Sequence, residues 1–171
     1  MVYRPGRAIR DADKVAWTRY SKTKPRRSYI KAMPHADLHQ YRMGAMKDNF
    51  DLVMHLTADE PIIIRDNAIE SSRQSTNKAL ETTIAGNYFF WVRIYPHHVI
   101  RENKMIAGAG ADRLQKGMRR SFGRPVDRAA RLGKGTVLFT VCTYKSNIAV
   151  VKKALKKATK KISGKFSIVS E

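Results

Sequence analysis

The chain has 171 residues and a formal net charge of +20, from 34 Lys and Arg against 14 Asp and Glu. That charge exceeds what solubility requires and calls for an acidic partner, while 43% apolar residues suffice for one real core. The single cysteine, Cys142, excludes an internal disulfide and a cysteine-pair zinc site and fits a reducing compartment. No apolar run reaches the roughly 18 residues of a membrane span, and "MVYRPGRAIRDADKVAW" has no apolar signal core.

In chain order, residues 1–47 show no sustained periodicity. "RYSKTKPRRSYIKAMP" mixes cations, Tyr and Pro and cannot bury enough apolar surface on its own to offset its ordering entropy. It reads as a basic arm ordered by a partner, ahead of one α+β domain over 48–171. "NFDLVMHLT" places Phe50, Leu52, Met54 and Leu56 on one face of a strand. "PIII" is an extended lead-in, and Ala68, Ile69, Ala79, Leu80 and Ile84 then fit a helix from about Arg65 with a polar middle, closed by Gly86 and Asn87. "YFFWVRIYP" is a strand that is apolar on nearly both faces. "GTVLFTVCTY" is a second, in which Cys142 reads as a small buried hydrophobe.

"SNIAVVKKALKKATKKI" is an amphipathic helix with Ser146 as N-cap; Ile148, Val151, Leu155, Ala158 and Ile162 form one face and lysines the other. "KFSIVS" suits a last strand. The order points to a mainly antiparallel sheet with two helices on one face, an α/β sandwich, carrying the basic arm and a long basic loop at 101–125.

Charge is segregated along this plan: net +9 over 1–47, −3 over 48–100, +7 over 101–134 and +7 over 135–171. The scaffold is slightly acidic, and the surplus lies in arm, loop and final helix, as for appendages reaching toward a polyanion.

"GAGADR" begins like a dinucleotide fingerprint, which leaves a nucleotide-dependent enzyme using the Gly108–Gly110 turn as the alternative function. However, Arg113 stands where the third glycine is needed, and about eleven residues of loop separate the turn from the strand ending at Pro96. His35 and His39 lack the Glu of a zincin helix, and adjacent His97 and His98 cannot both point the same way from a strand. Neither pair suggests a metal. A membrane-surface role for the lysine helix conflicts with its modest apolar face.

Polyanion contact reads better. In the loop the candidates are Arg101, Lys104, Arg113, Lys116, Arg119, Arg120, Arg124, Arg128 and Arg131. In the arm they are Arg4, Arg7, Arg19, Lys22, Lys24, Arg26, Arg27 and Lys31, and on the final helix Lys152 and Lys156. Glycines at 108, 110, 117 and 123 let backbone approach a phosphate, and guanidinium forks bind phosphates and stack on bases.

At these residues the chain resembles a known family. "RIYPHHVIRENKMIAGAGADRLQKGMRRSFGRP" is similar to the signature region of the large-subunit ribosomal proteins numbered sixteen in the universal scheme, in their archaeal and eukaryotic "ten-e" branch. "RDNAIESSRQSTNKAL", "FFWVRIYP", "GKGTVLFTV" and the basic final helix stand in the family's order, and the arm is similar too. The resemblance implies a non-catalytic structural protein without cofactor, metal or small-molecule substrate. It implies binding to large-subunit rRNA near the 5S rRNA, with neighbouring large-subunit proteins, on cytoplasmic ribosomes. It also implies that loop 101–120 projects toward tRNA and the peptidyl transferase centre. Within the loop, "KMIAGAGADR" is what the shorter bacterial form lacks. The sequence stops soon after "KFSIVS", short of the eukaryotic tail.

Overall fold

A computed structural model describes residues 4–12, 30–106, 108–110, 113, 115, 117–119 and 121–171, without the side chain of Arg7. The strands are β1 (Arg42–Gly44), β2 (Leu52–Ala58), β3 (Ile62–Arg65), β4 (Tyr88–Val92), β5 (His98–Glu102), β6 (Arg124–Leu132), β7 (Val137–Thr143) and β8 (Phe166–Ser170). Among the described residues the long helices are α1 (Asp66–Ile84) and α2 (Ile148–Thr159).

Five strands form one antiparallel sheet in the order β1-β4-β7-β2-β8. Strict alternation sets its two faces. Along β2, Leu52, Met54, Leu56 and Ala58 point into the core while Val53, His55 and Thr57 point out. Along β4, Tyr88, Phe90 and Val92 are buried while Phe89 and Trp91 lie on the outer face. Helices α1 and α2 pack on each other over the inner face. Val151, Ala154, Leu155 and Ala158 of α2 join the core, where Phe90 and Phe139 meet edge-to-face at 5.1 Å. This is the expected α+β sandwich with two helices on one face.

The polar middle of α1 is internally satisfied. Ser72 and Thr76 are fully buried, and their hydroxyls donate to the carbonyls of Ile69 and Ser72. Arg73, also buried, donates to Glu70 at 2.8 Å and to Gln40 Oε1 at 3.2 Å.

The segments read as lead-in and loop hold a second sheet. Strands β3, β6 and β5 pair antiparallel in that order. One face, with Ile62, Ile64, Ala130 and Leu132, joins the main core; the other, with Ile63, Ile100 and Ala129, is covered by Ile9 and Ala12. Residues 4–12 are held there by Ile63 N–H donating to Arg10 O at 2.8 Å and a bridge between Asp11 and Ile62. Ile30 and Leu38 are buried and β1 pairs with β4, so the described parts of 30–47 are also packed on the fold.

Two local expectations are corrected. Ser146 does not cap α2: a 3-10 turn, Lys145–Asn147, precedes the helix, and Asn147 holds the N-cap position without a side-chain capping bond, its amide donating instead to Thr143 Oγ1 at 3.3 Å. Cys142 is not in the core. It pairs with Val53 and Phe89 on the outer sheet face and is only half-buried, which still pushes its thiol pKa up.

Candidate nucleic-acid interface

The loop is a braced finger. Its limbs leave β5 and enter β6, and Asn103 to Gly123 lie between them. At the base, Arg101 Cζ lies 3.9 Å from the Phe122 ring centroid, and its Nη1 donates to Phe122 O. Gly123 has φ of 77°, and a Cβ there would sit 3.1 Å from the Glu102 carbonyl carbon, so only glycine closes the two limbs without strain. Higher up, Ile106 N–H donates to Gln115 Oε1 at 2.8 Å and Gln115 Nε2 donates to Ile106 O at 2.9 Å. Asn103 Nδ2 donates to Gly117 O at 3.3 Å.

Gly108, Ala109 and Gly110 form an exposed turn at the far end. Arg113, Arg119 and Lys104 are exposed along the finger, beside Met105 (56%), Met118 (63%) and Phe122 (54%). Guanidinium beside exposed sulfur and aromatic surface is suited to phosphates and base faces together. A cavity of about 550 Å³ opens between the limbs, lined by Lys104, Arg119 and Arg124. A second, of about 280 Å³, lies between residues 4–9, the small sheet and the loop base, and is lined by Arg4, Arg65 and Arg101.

The remaining candidates divide by what their donors do. Arg4 is exposed and pairs with Glu102 at 3.2 Å, across the same carboxylate from Lys104 at 3.9 Å. Lys31 and Arg124 are exposed, as are Lys152 and Lys156 on the outward face of α2. Arg128 and Arg131 are half-buried and face inward: Arg128 donates to Pro34 O at 2.6 Å and Tyr95 Oη at 3.2 Å, and Arg131 donates to Ala12 O. These two hold chain segments together. Arg19, Lys22, Lys24, Arg26, Arg27, Lys116 and Arg120 lie outside the described residues, as does the side chain of Arg7.

Behind the finger lies a buried polar cluster. Asp127 is 6% exposed and its carboxyl pKa is pushed up to about 7, first by burial and then by Asp66, which hydrogen-bonds and repels it. Arg65 Nε is 3.9 Å from Asp127. Asp66 accepts the Asp37 N–H at 2.9 Å and the Asn67 N–H at 2.9 Å. Buried His98 is pushed down to about 4 by burial and by Arg131 and Arg101, while His97 is exposed. Among the described residues no group of three or more His, Cys, Asp or Glu could hold a metal, and no helix is long and apolar enough to cross a membrane.

A basic finger on an α+β sandwich suits a polyanionic partner. The family model for ribosomal protein L16p/L10e matches residues 17–169.

The chain belongs to the L16p/L10e family.

It is similar to the large ribosomal subunit protein uL16 of Thermofilum pendens, at 42% identity over 172 positions that cover 100% of this chain and 98% of the relative. The uL16 of Methanococcus aeolicus is 39% identical over 99% of this chain and 94% of its own length. That of Staphylothermus marinus is 44% identical over 80% and 79%. L16p/L10e membership makes the chain a structural ribosomal component and not an enzyme, which replaces the nucleotide-enzyme alternative for the Gly108–Gly110 turn.

Two cations important to the surface escaped the sequence reading. Arg42 and Arg93 flank Trp91 on the outer sheet face, with Cζ 5.2 Å and 4.1 Å from its ring centroid. The signal was strand alternation, which sets Trp91 and Arg93 on one face. It was masked by the net negative charge of residues 48–100.

Proposed function

We propose that the protein is a structural constituent of the large ribosomal subunit, on cytoplasmic ribosomes, bound to large-subunit rRNA near the 5S rRNA and to neighbouring subunit proteins. Its finger, residues 101–120, helps to position tRNA near the peptidyl transferase centre. Residues 1–47 act as a basic rRNA-binding arm on the 48–171 domain, and Lys152 and Lys156 add phosphate contacts from α2. The observation that carries this reading is the finger: braced at its base, it presents Arg113 and Arg119 to solvent rather than to the protein's own core. The uL16 relatives, similar over nearly the whole chain, support the same reading.

The test is salt-dependent binding to large-subunit rRNA and sedimentation with the subunit. Affinity should fall with a slope of about −0.7 to −0.9 in log–log terms for each phosphate contacted. Affinity that is unchanged between low and high salt, or failure to sediment with large subunits, would overturn the reading.

A further inference from the structure

The face of the five-stranded sheet turned away from α1 and α2 is covered by no described element. Its centre is Trp91, with Phe89 two residues before it on β4 and half-buried beside it. Arg42 stands opposite Trp91 across the β1–β4 ladder, and Arg93 follows two residues on. Both guanidiniums are exposed, and among the described residues neither meets a carboxylate.

This edge is built to hold Arg42 in place. Val92 N–H donates to Tyr41 O at 2.8 Å and Ala45 N–H to Tyr88 O at 3.0 Å. Gly44, at φ 83°, brings β1 so close that a Cβ would lie 2.3 Å from Tyr88 O. A guanidinium resting on an indole uses its flat face against the ring and keeps its N–H edges for another acceptor. The carboxylates bonded to residues of this face are at its other end: Asp59 accepts from Ser167, and Glu171 lies 3.4 Å from His55. The β1–β4 end is thus cationic and aromatic together, the combination that tracks an unpaired nucleic-acid strand by phosphate and by base face.

We propose that this sheet face is a second RNA-binding surface, on which Arg42 and Arg93 hold phosphates of an unpaired RNA segment and Trp91 and Phe89 receive its bases. The proposal rests on the reading of the protein as an rRNA binder and assigns RNA contact to a side of the molecule opposite the helices.

With Trp17→Phe as background, Trp91 is the sole tryptophan of the full chain. A short oligouridylate should quench its emission saturably. R42Q/R93Q in that background should lower oligouridylate affinity about tenfold and reduce the salt slope by about 1.4, at unchanged melting temperature. No quenching, or quenching unaffected by R42Q/R93Q, overturns the proposal. On intact large subunits, ultraviolet crosslinks from Trp91 should go to RNA, and crosslinks to a protein overturn it. R113A/R119A separates this surface from the broader reading. If that variant weakens rRNA binding and R42Q/R93Q does not, the sheet surface falls and the proposed function stands. If neither weakens it, both fall.

Discussion

Arg101 and Phe122 close the base of the finger on each other twice, through the guanidinium over the ring and through a bond to the backbone carbonyl. They lie 21 residues apart, at the two ends of the loop. The contact fixes how the limbs leave the sheet, while Phe122 itself stays exposed. Phe122→Ala should therefore cost only about 0.5–1 kcal/mol of global stability. Limited proteolysis within 103–121 should become markedly faster, and rRNA affinity should fall. Unchanged cleavage would mean that the ring does not order the loop.

Gly123 and Gly108 should respond in opposite ways to alanine. At Gly123 both the positive φ and the close Glu102 backbone oppose a side chain, so Gly123→Ala should lose about 1–3 kcal/mol in urea unfolding. At Gly108 nothing lies within 4 Å of a built Cβ, and Gly108→Ala should be neutral or slightly stabilising. Equal effects at the two sites would remove the argument for a closed loop base.

The cations also divide into two classes that melting experiments can separate. Arg113→Ala with Arg119→Ala, extended to Arg120→Ala, should leave the melting temperature nearly unchanged and impair incorporation into large subunits. Arg128→Ala and Arg131→Ala should each cost about 1.5–3 kcal/mol, because each removes charged donors from part-buried main-chain carbonyls. A large drop in melting temperature for the finger variant would make those arginines structural.

Asp127 and His98 give stability two opposing pH dependences. Asp127 binds its proton more tightly in the folded protein, with a pKa of about 7 against an ordinary 3.8, so its contribution falls as pH rises across that window. His98 binds its proton less tightly, at about 4 against 6.5, so its contribution grows with pH between those values. Asp66, Arg65, Arg131 and Arg101 are the charged groups around the two. Denaturant titrations from pH 4 to 6.5 should be nearly flat for the unmodified chain. Asp127→Asn should make stability rise across that range, and His98→Gln should make it fall. Parallel curves for all three proteins would show that neither group's pKa differs between the folded and unfolded chain.

Four of the five strands of the large sheet and both helices were legible from the alternation in β2 and β8, the aromatic and β-branched runs of β4 and β7, and the helical spacing of α1 and α2, whereas β1 lay within the segment read as an arm. The small sheet was not legible. Its central strand reads "RPVDRAARL", and charges at that density look like loop to any pattern that assumes charges face water. Here Arg128 and Arg131 reach carbonyls 94 and 119 residues away, and Asp127 lies buried against Asp66, partners that no local window contains. The finger's glycines and exposed arginines were legible, since close approach and positive φ are properties of the residue type. The Arg42–Trp91–Arg93 cluster needed the register of β1 on β4, which local sequence does not supply.

Residues 4–12 are made early, but their seat is complete only once β6 has been made. Their seat needs Ile62 and Ile63, and Arg131, which donates to Ala12 O, is synthesised 119 residues later. Until then a growing chain carries a basic leading segment with nowhere on itself to dock, and Ile63, Ile100 and Ala129 have no cover. Chain growth runs at about 5–20 residues per second, so that interval lasts several seconds. Completion of the small sheet is therefore a timing event in the protein's synthesis as well as a feature of its architecture.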